Sequence, residues 1–500
     1  MHASDFEFTV DHIMDSPKYV YIFLSVQIAI FLLLGLLLLV ECRHGGSAES
    51  LQFPAINCRK HTAYLTDFGG KGDGNTLNTA AFNSAIANLS KQASDDGGAQ
   101  LIVPPGKWLT GPFNLTSHFT LYIHNDATIL ATQDVSQYPL IPPLPSYGRG
   151  RDAPGARMIS LIFGTNLTDV VITGGNGTID GQGEAWWVKY REKELKNTRP
   201  YLIEIMHSNQ IQIFNLTLRN SPSWVVHPVY SSDIIIQHLT ILSPIDSANT
   251  DGIDPDSCTN VRIWDNYIVS GDDCIALKSG WDEYGIKYGM PTKHLSIKRL
   301  TCISPSSATI ALGSELSGGI QDVRAEHILS INTESGLRVK TTPGRGGFVK
   351  DIYVRNVEYD TMKYVLWMIA DYGDNPDDNY DPKALSTISG ISYSNIKAKN
   401  VTIAGYLIGF GNHHPFTGLC MSNATIEMHQ NTELSLEEKK QKPAAWNCSD
   451  ISGVASSNVT PSPCGQLAKK HDVVCNFPTD QLPIEKVELK TCSAPLKHLE

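Results

Sequence analysis

The chain has 500 residues, with 51 Asp and Glu against 40 Lys and Arg, and a formal net charge of −11 at pH 7. That balance excludes a nucleic-acid partner, which needs a basic face, and it offers no general attraction for a polyanion, so an acidic ligand requires a local cluster of cations. Forty glycines and many Asn, Thr, Ile and Val residues favour strands and turns over helices, which makes the expected class all-β.

Residues 1–18 read as an N-terminal tail. The run from Tyr19 to Val40 carries no charge and is long enough to span a bilayer, for which about 20 residues suffice. Asp5, Glu7, Asp11 and Asp15 precede it, where a cleaved signal peptide has a basic start. A membrane-spanning signal anchor and a cleaved signal peptide are both open readings, with 41–60 as a stalk. Ten cysteines and nine Asn-X-Ser/Thr sequons point to the secretory pathway and place the bulk of a monomeric chain outside the cell, in the wall or tethered to the membrane. Asn176 and Asn215 sit inside β-like segments and read as structural.

Thr79–Leu89 has the spacing of an amphipathic helix, capped by Asn78 or Thr79, and suits the open end of a solenoid. From about residue 166 a polar turn followed by an alternating strand recurs. Its first apolar residues fall at Ile211, Ile234, Val261, Leu295, Val323, Ile352 and Ile391, mostly 23 to 34 apart. Such a period marks a solenoid whose repeats cannot bury their apolar faces alone. One strand per period without helical crossovers predicts a parallel β-helix over 61–430. Residues 431–500 read as a tail in which Cys448, Cys464, Cys475 and Cys492 fit two disulfides, with three possible pairings. Cys258 and Cys274 read as packed thiols or a disulfide.

Residues one period apart form a column on a solenoid face. Asp251 and Asp272 are 21 apart, Ser314 follows 42 later if Gly280–Pro291 bulges out as a loop, and Arg338 follows 24 after that. Four coils then present a row of roughly 15 Å, at about 4.8 Å per rung. Paired carboxylates are what glycosidic hydrolysis needs, and crowding them keeps a proton on at least one. Asp273 joins Asp272 in one cleft only if the chain bends at Gly271, because adjacent strand residues face opposite ways. Trp224 and His227, one coil earlier, suit stacking on and hydrogen bonding to a sugar, or else a core Trp and a satisfied turn His.

Asn249-Thr250-Asp251-Gly252, Gly271-Asp272-Asp273 and Arg338-Val339-Lys340 together resemble the signature of the polygalacturonases, glycoside hydrolase family 28. Asp67-Phe68-Gly69-Gly70-Lys71-Gly72-Asp73-Gly74 resembles that family's N-terminal motif. The resemblance implies a right-handed β-helix and inverting hydrolysis of α-1,4-linked galacturonic acid in pectin, without cofactor or metal. Asp272 is then the general acid, Asp251 and Asp273 activate water, and Arg338 and Lys340 bind substrate carboxylates, with Asn249 and Ser314 in the binding site. Where the family has Gly-His-Gly this chain has Gly313-Ser314-Glu315, which withholds an imidazole and resembles the exo-acting branch. A calcium-dependent pectate lyase and a pectin-binding protein without turnover are the competing readings.

Overall fold

The computed structural model describes residues 51, 53, 59–94, 97–411, 414–429 and 444–489. The run Tyr19–Val40, its flanking tail and most of the stalk lie outside them, as does Cys492. Among the described residues no helix is long and apolar enough to cross a membrane.

The repeat is a right-handed parallel β-helix, the hand expected when parallel strands are linked by crossovers. The column of first apolar residues stacks rung on rung: Ile211 pairs with Ile234, Val261, Leu295, Val323, Ile352, Ile391 and finally Leu419 in turn. All of these residues are buried in one continuous core. The residue before each takes a left-handed conformation, as at Asp169, Asp233, Asn260, Asp322 and Asp351 (φ 51 to 58°). Asn and Asp tolerate that region better than most side chains. A second left-handed column four residues into each strand, including Asn215, Asp265, Asn356, Asn395 and Asn423, bends the ladder from one face of the coil to the next. Asn215 is thus a structural turn residue, although the asparagines of all nine sequons are exposed.

The first helix, α1 (Thr79–Leu89), covers the N-terminal coil with Ala81, Phe82, Ala85, Ile86 and Leu89. Phe82 stacks on Phe113 of the coil at 4.3 Å between ring centroids. Asn78 occupies the cap position, but its side chain makes no capping bond. Its amide instead accepts from the Lys71 N–H and donates to the carbonyls of Lys71, Thr76 and Leu109, tying the Gly-rich segment to the coil.

The ladder runs past residue 430. Trp446–Ser449 pairs with Thr387–Ile408, and Ile451–Ser456 and Val459–Thr460 pair with Phe416–Met428, all parallel. The expected tail therefore supplies strands before it leaves the solenoid. Its disulfides also differ from a closed set of four: Cys448 joins Cys464, but Cys475 joins Cys420 in the ladder. Cys274 joins Cys302, and Cys258 is a buried thiol. Beyond Cys475 the chain turns back over the outer face, where Arg262 donates to the Val487 carbonyl at 2.7 Å and Lys298 pairs with Glu485 at 2.7 Å.

Phe82→Ala removes the largest apolar plug of the first coil. It is expected to cost about 3–5 kcal/mol and to lower the thermal midpoint; an unchanged melt would mean that α1 does not seal the core.

Candidate active site

The coils present their acids at a turn. Ile253, Ile275, Ile310 and Leu337 stack in register, so the position two residues earlier is Asp251 on one coil and Asp273 on the next. Asp273, not Asp272, is the rung partner of Asp251. The same register places Arg338 beside Ala311 and Lys340 beside Gly313, so Asp251, Asp272, Ser314 and Arg338 do not form the straight row that the spacing suggests.

The turn Ser270–Asp273 nevertheless gathers the three acids. The Gly271 N–H donates to Thr250 Oγ1 at 3.1 Å, the Asp272 N–H to Ser270 Oγ at 3.0 Å, and the Asp273 N–H to Asp272 Oδ1 at 2.9 Å. A Cβ at Gly271 would lie 2.1 Å from the Ser247 carbonyl oxygen, so close approach of two turns requires glycine there. Oxygens of Asp251, Asp272 and Asp273 all lie within 4.8 Å of one another.

Their environments differ. Asp273 is fully buried; it accepts from Ser307 Oγ at 2.5 Å and the Ala308 N–H at 3.0 Å, and Lys340 Nζ reaches it at 2.5 Å. Burial opposes its charge, but Lys340 and Arg338 overcome that and hold it below the usual carboxylate range. Asp251 is buried, and its Oδ1 has no hydrogen-bond partner among the described residues. Burial first, and then Asp272, push it up to about 8. Asp254, three residues on and wholly buried, is driven far up by burial and by Asp251. Asp272 is the half-exposed member, and Asn249 donates to it at 3.4 Å.

Of these groups Asp251 and Asp272 line a cleft of about 280 Å³, whose wall also includes Trp224, Asn249, Lys278, Ser314, Glu315 and Lys340. Three expected residues are not in that wall, and one of them is Asp273, which is wholly buried. His227 is fully buried behind it, between Glu204 (3.1 Å) and Asp256 (3.5 Å), which leaves no ring nitrogen for a sugar. The Arg338 guanidinium lies 3.7 Å from the Trp367 ring centroid and pairs with Glu334 at 3.6 Å, one step outside the wall.

Sequence reasoning missed several cations and the aromatic roof. Arg149 and Arg151 reach the cleft from an aperiodic segment, with Arg151 over Trp281 at 4.6 Å and paired with Glu315 at 2.5 Å and Asp374 at 2.8 Å. The expected bulge at Gly280–Pro291 is a loop carrying a short helix, α3 (Asp282–Tyr288). α2 (Glu184–Arg191) precedes it in the chain and contributes Tyr190 to the cleft. The Trp281 Nε1–H donates to the Asp374 carbonyl at 2.9 Å and Tyr284 OH to Asp377 at 2.8 Å, closing a wall against residues 371–380. The signal that could have found Lys278 is a charge placed directly after the buried Ile275-Ala276-Leu277. Arg149 and Arg151 gave no such signal.

Residues 99–455 match the family of glycosyl hydrolases 28. The chain is 60% identical over 478 residues, 95% of each sequence, to a probable polygalacturonase of Vitis vinifera. It is 29% identical over 395 residues to a polygalacturonase of Chamaecyparis obtusa, covering 76% of this chain and 69% of that protein. Among solved structures, the hyperthermoactive exopolygalacturonase of Thermotoga maritima superposes with a TM-score of 0.67 at 27% identity, over 76% of this chain and 89% of that one.

The Lys340–Asp273 pair has a pH signature. Because the folded chain holds Asp273 below its ordinary value, the pair stabilises the fold above about pH 4 and that contribution is lost as the pH falls through the depressed value. Lys340→Met leaves a buried carboxylate uncompensated and is expected to cost about 3–5 kcal/mol at neutral pH. The deficit should shrink in acid as Asp273 takes up a proton. Thermal melts of both proteins across that range check this, and a deficit that does not change with pH would assign Lys340 to packing alone.

Proposed function

The chain belongs to glycosyl hydrolase family 28, and from that premise we infer that it hydrolyses α-1,4-galacturonosyl bonds of pectin, from a chain end and with inversion, in plant-type cell-wall metabolism. Membership of a glycosidase family favours hydrolysis over a calcium-dependent lyase. The observation that carries the reading is a carboxylate trio of which Asp251 and Asp272 line a cleft that also holds Arg149, Arg151, Lys278 and Lys340. In a chain of net charge −11 those cations are the local attraction that a polyuronate requires.

The roles follow from exposure and charge. Asp272 is the least buried acid of the trio and protonates the leaving glycosidic oxygen. Asp251 and Asp273 hold and activate the water. The protons belong to the coupled cluster, and Asp272 is its outlet. Asp273, locked by Lys340, Ser307 and Ala308, is the permanent anion. Inversion rests on the family, since oxygens within 4.8 Å are closer than the roughly 6.5–9.5 Å typical of inverting pairs. Trp224, stacked on Tyr201 with Lys278 over its ring, and Trp281, under Arg151, fix the cations of the wall, and those cations offer partners for the sugar carboxylate. Arg338 supports the wall from behind, on Trp367.

The exo mode rests on the barrier built from Trp281, α3 and residues 371–380 beside the acids. A blocked groove admits a chain terminus and excludes a through-running chain. A C-terminal unit delivered outside the cell, with glycans on its exposed sequons, suits this substrate.

On polygalacturonate the chain should release monogalacturonate from the first minutes while viscosity falls slowly, and chelator should leave the rate unchanged. Early mid-length oligomers would contradict the exo mode, and unsaturated products would contradict hydrolysis. Asp272→Asn should lower kcat by about 10²–10⁴; equal release by variant and parent would remove Asp272 from the chemistry. Proton NMR should show the new reducing end first as the β-anomer.

A further inference from the structure

We propose that Lys278, anchored by Glu315, is a positioning residue that sets the charge state of the carboxylate cluster in place of the imidazole that Ser314 does not supply. This inference rests on the cleft being the hydrolytic site described above.

The backbone around Lys278 is locked. Its N–H donates to the Pro255 carbonyl at 2.9 Å, its carbonyl accepts from Thr292 Oγ1 at 2.6 Å and the Ser257 N–H at 2.9 Å, and the next N–H, of Ser279, donates to the Glu315 carbonyl at 2.8 Å. The side chain is 5% exposed and crosses the face of Trp224, with Nζ 4.4 Å from the ring centroid. From there the ammonium faces three acids at nearly equal range: Glu315 at 3.4 Å, Asp251 at 3.6 Å and Asp254 at 3.6 Å. No single partner takes its charge, so it acts as a point charge on all three.

The same turn that withholds the imidazole delivers the anchor, because Glu315 follows Ser314 directly. Glu315 is held ionised: burial opposes its charge, but Lys278, Arg151 and Arg345 outweigh burial. Asp254 offers two buried oxygens that accept no hydrogen bond among the described residues and lies near Asp251, so without a cation both acids would stay neutral. Burial and Asp272 raise Asp251, and Lys278 is the largest influence pulling it back, ahead of Lys340. The remaining titratable neighbours are Asp273, on the Lys340 side, and the phenols of Tyr147 and Tyr201, which burial keeps neutral. Lys278 thus keeps Asp251 within reach of ionisation, the state in which it can take a proton from water.

The test is the pH profile of kcat/KM on polygalacturonate for the parent, Lys278→Met, Lys278→Gln and Lys278→Arg, each checked for folding by circular dichroism and thermal melting. Removing the cation lets the cluster bind its proton more tightly, so both charge-removing variants should move the acid limb to higher pH by about one unit or more, with kcat reduced at least about tenfold and KM changed less. Lys278→Arg, which keeps the charge, should keep the limb near that of the parent. Folded Met or Gln variants with an unshifted limb would overturn the proposal. So would failure of both to fold while Lys278→Arg folds, which would reduce Lys278 to a structural counter-charge. A parent that releases no sugar would defeat the hydrolytic reading instead, so the two failures are distinguishable.

Discussion

Two buried ammonium groups hold the acids of the cleft together. Asp251, Asp254, Asp273 and Glu315 are all nearly or fully enclosed, and carboxylates removed from water either find cations or give up their charge. Lys340 goes to Asp273 alone, whereas Lys278 is shared among Asp251, Asp254 and Glu315. Glu315 also has Arg151, but Asp251 and Asp254 have only their share of Lys278, so burial leaves protons on that pair at neutral pH. A site that must both donate and accept protons depends on that shortage.

The solenoid makes the arrangement possible by holding register. Stacked rungs set Asp251 beside Asp273 through Ile253 and Ile275, and the turn at Gly271 brings Asp272 in from the adjacent position. The apolar column from Ile211 to Leu419 and its left-handed turn residues bury a continuous core, which fixes the coil spacing on which the acids depend. Loops between the coils then add what the repeat cannot: Trp281 and α3, with Arg149 and Arg151 packed over the Trp281 ring.

What could be read from the sequence follows that division. The column of first apolar residues was legible because it obeys a period, and its Asn and Asp turns were legible because few other side chains tolerate positive φ. The three aspartates stood out through their motifs. Their row did not, since counting from Asp251 to Asp272 overlooks that Asp273 is the rung partner. His227 was misplaced because a strand pattern does not say which side of the cleft wall a residue faces, and Arg338 because the alternation places Lys340 on its face without saying how near the cleft either lies. Arg149 and Arg151 lie in an aperiodic Pro- and Gly-containing segment whose path only tertiary contacts determine. Cys475 escaped the expected set because chain proximity is no guide to pairing when a tail folds back on the ladder.

The central claim is that the acid cluster holds a proton at neutral pH while Asp273 stays ionised. Infrared difference titration of the carboxyl stretch tests it directly. The account predicts a neutral carboxylic-acid band at neutral pH that titrates away near pH 8, in keeping with Asp251 raised to about 8, and that is lost or shifted in Asp251→Asn. A protein whose carboxyl groups are all ionised by about pH 6, beyond the ordinary range for Asp and Glu, would contradict it.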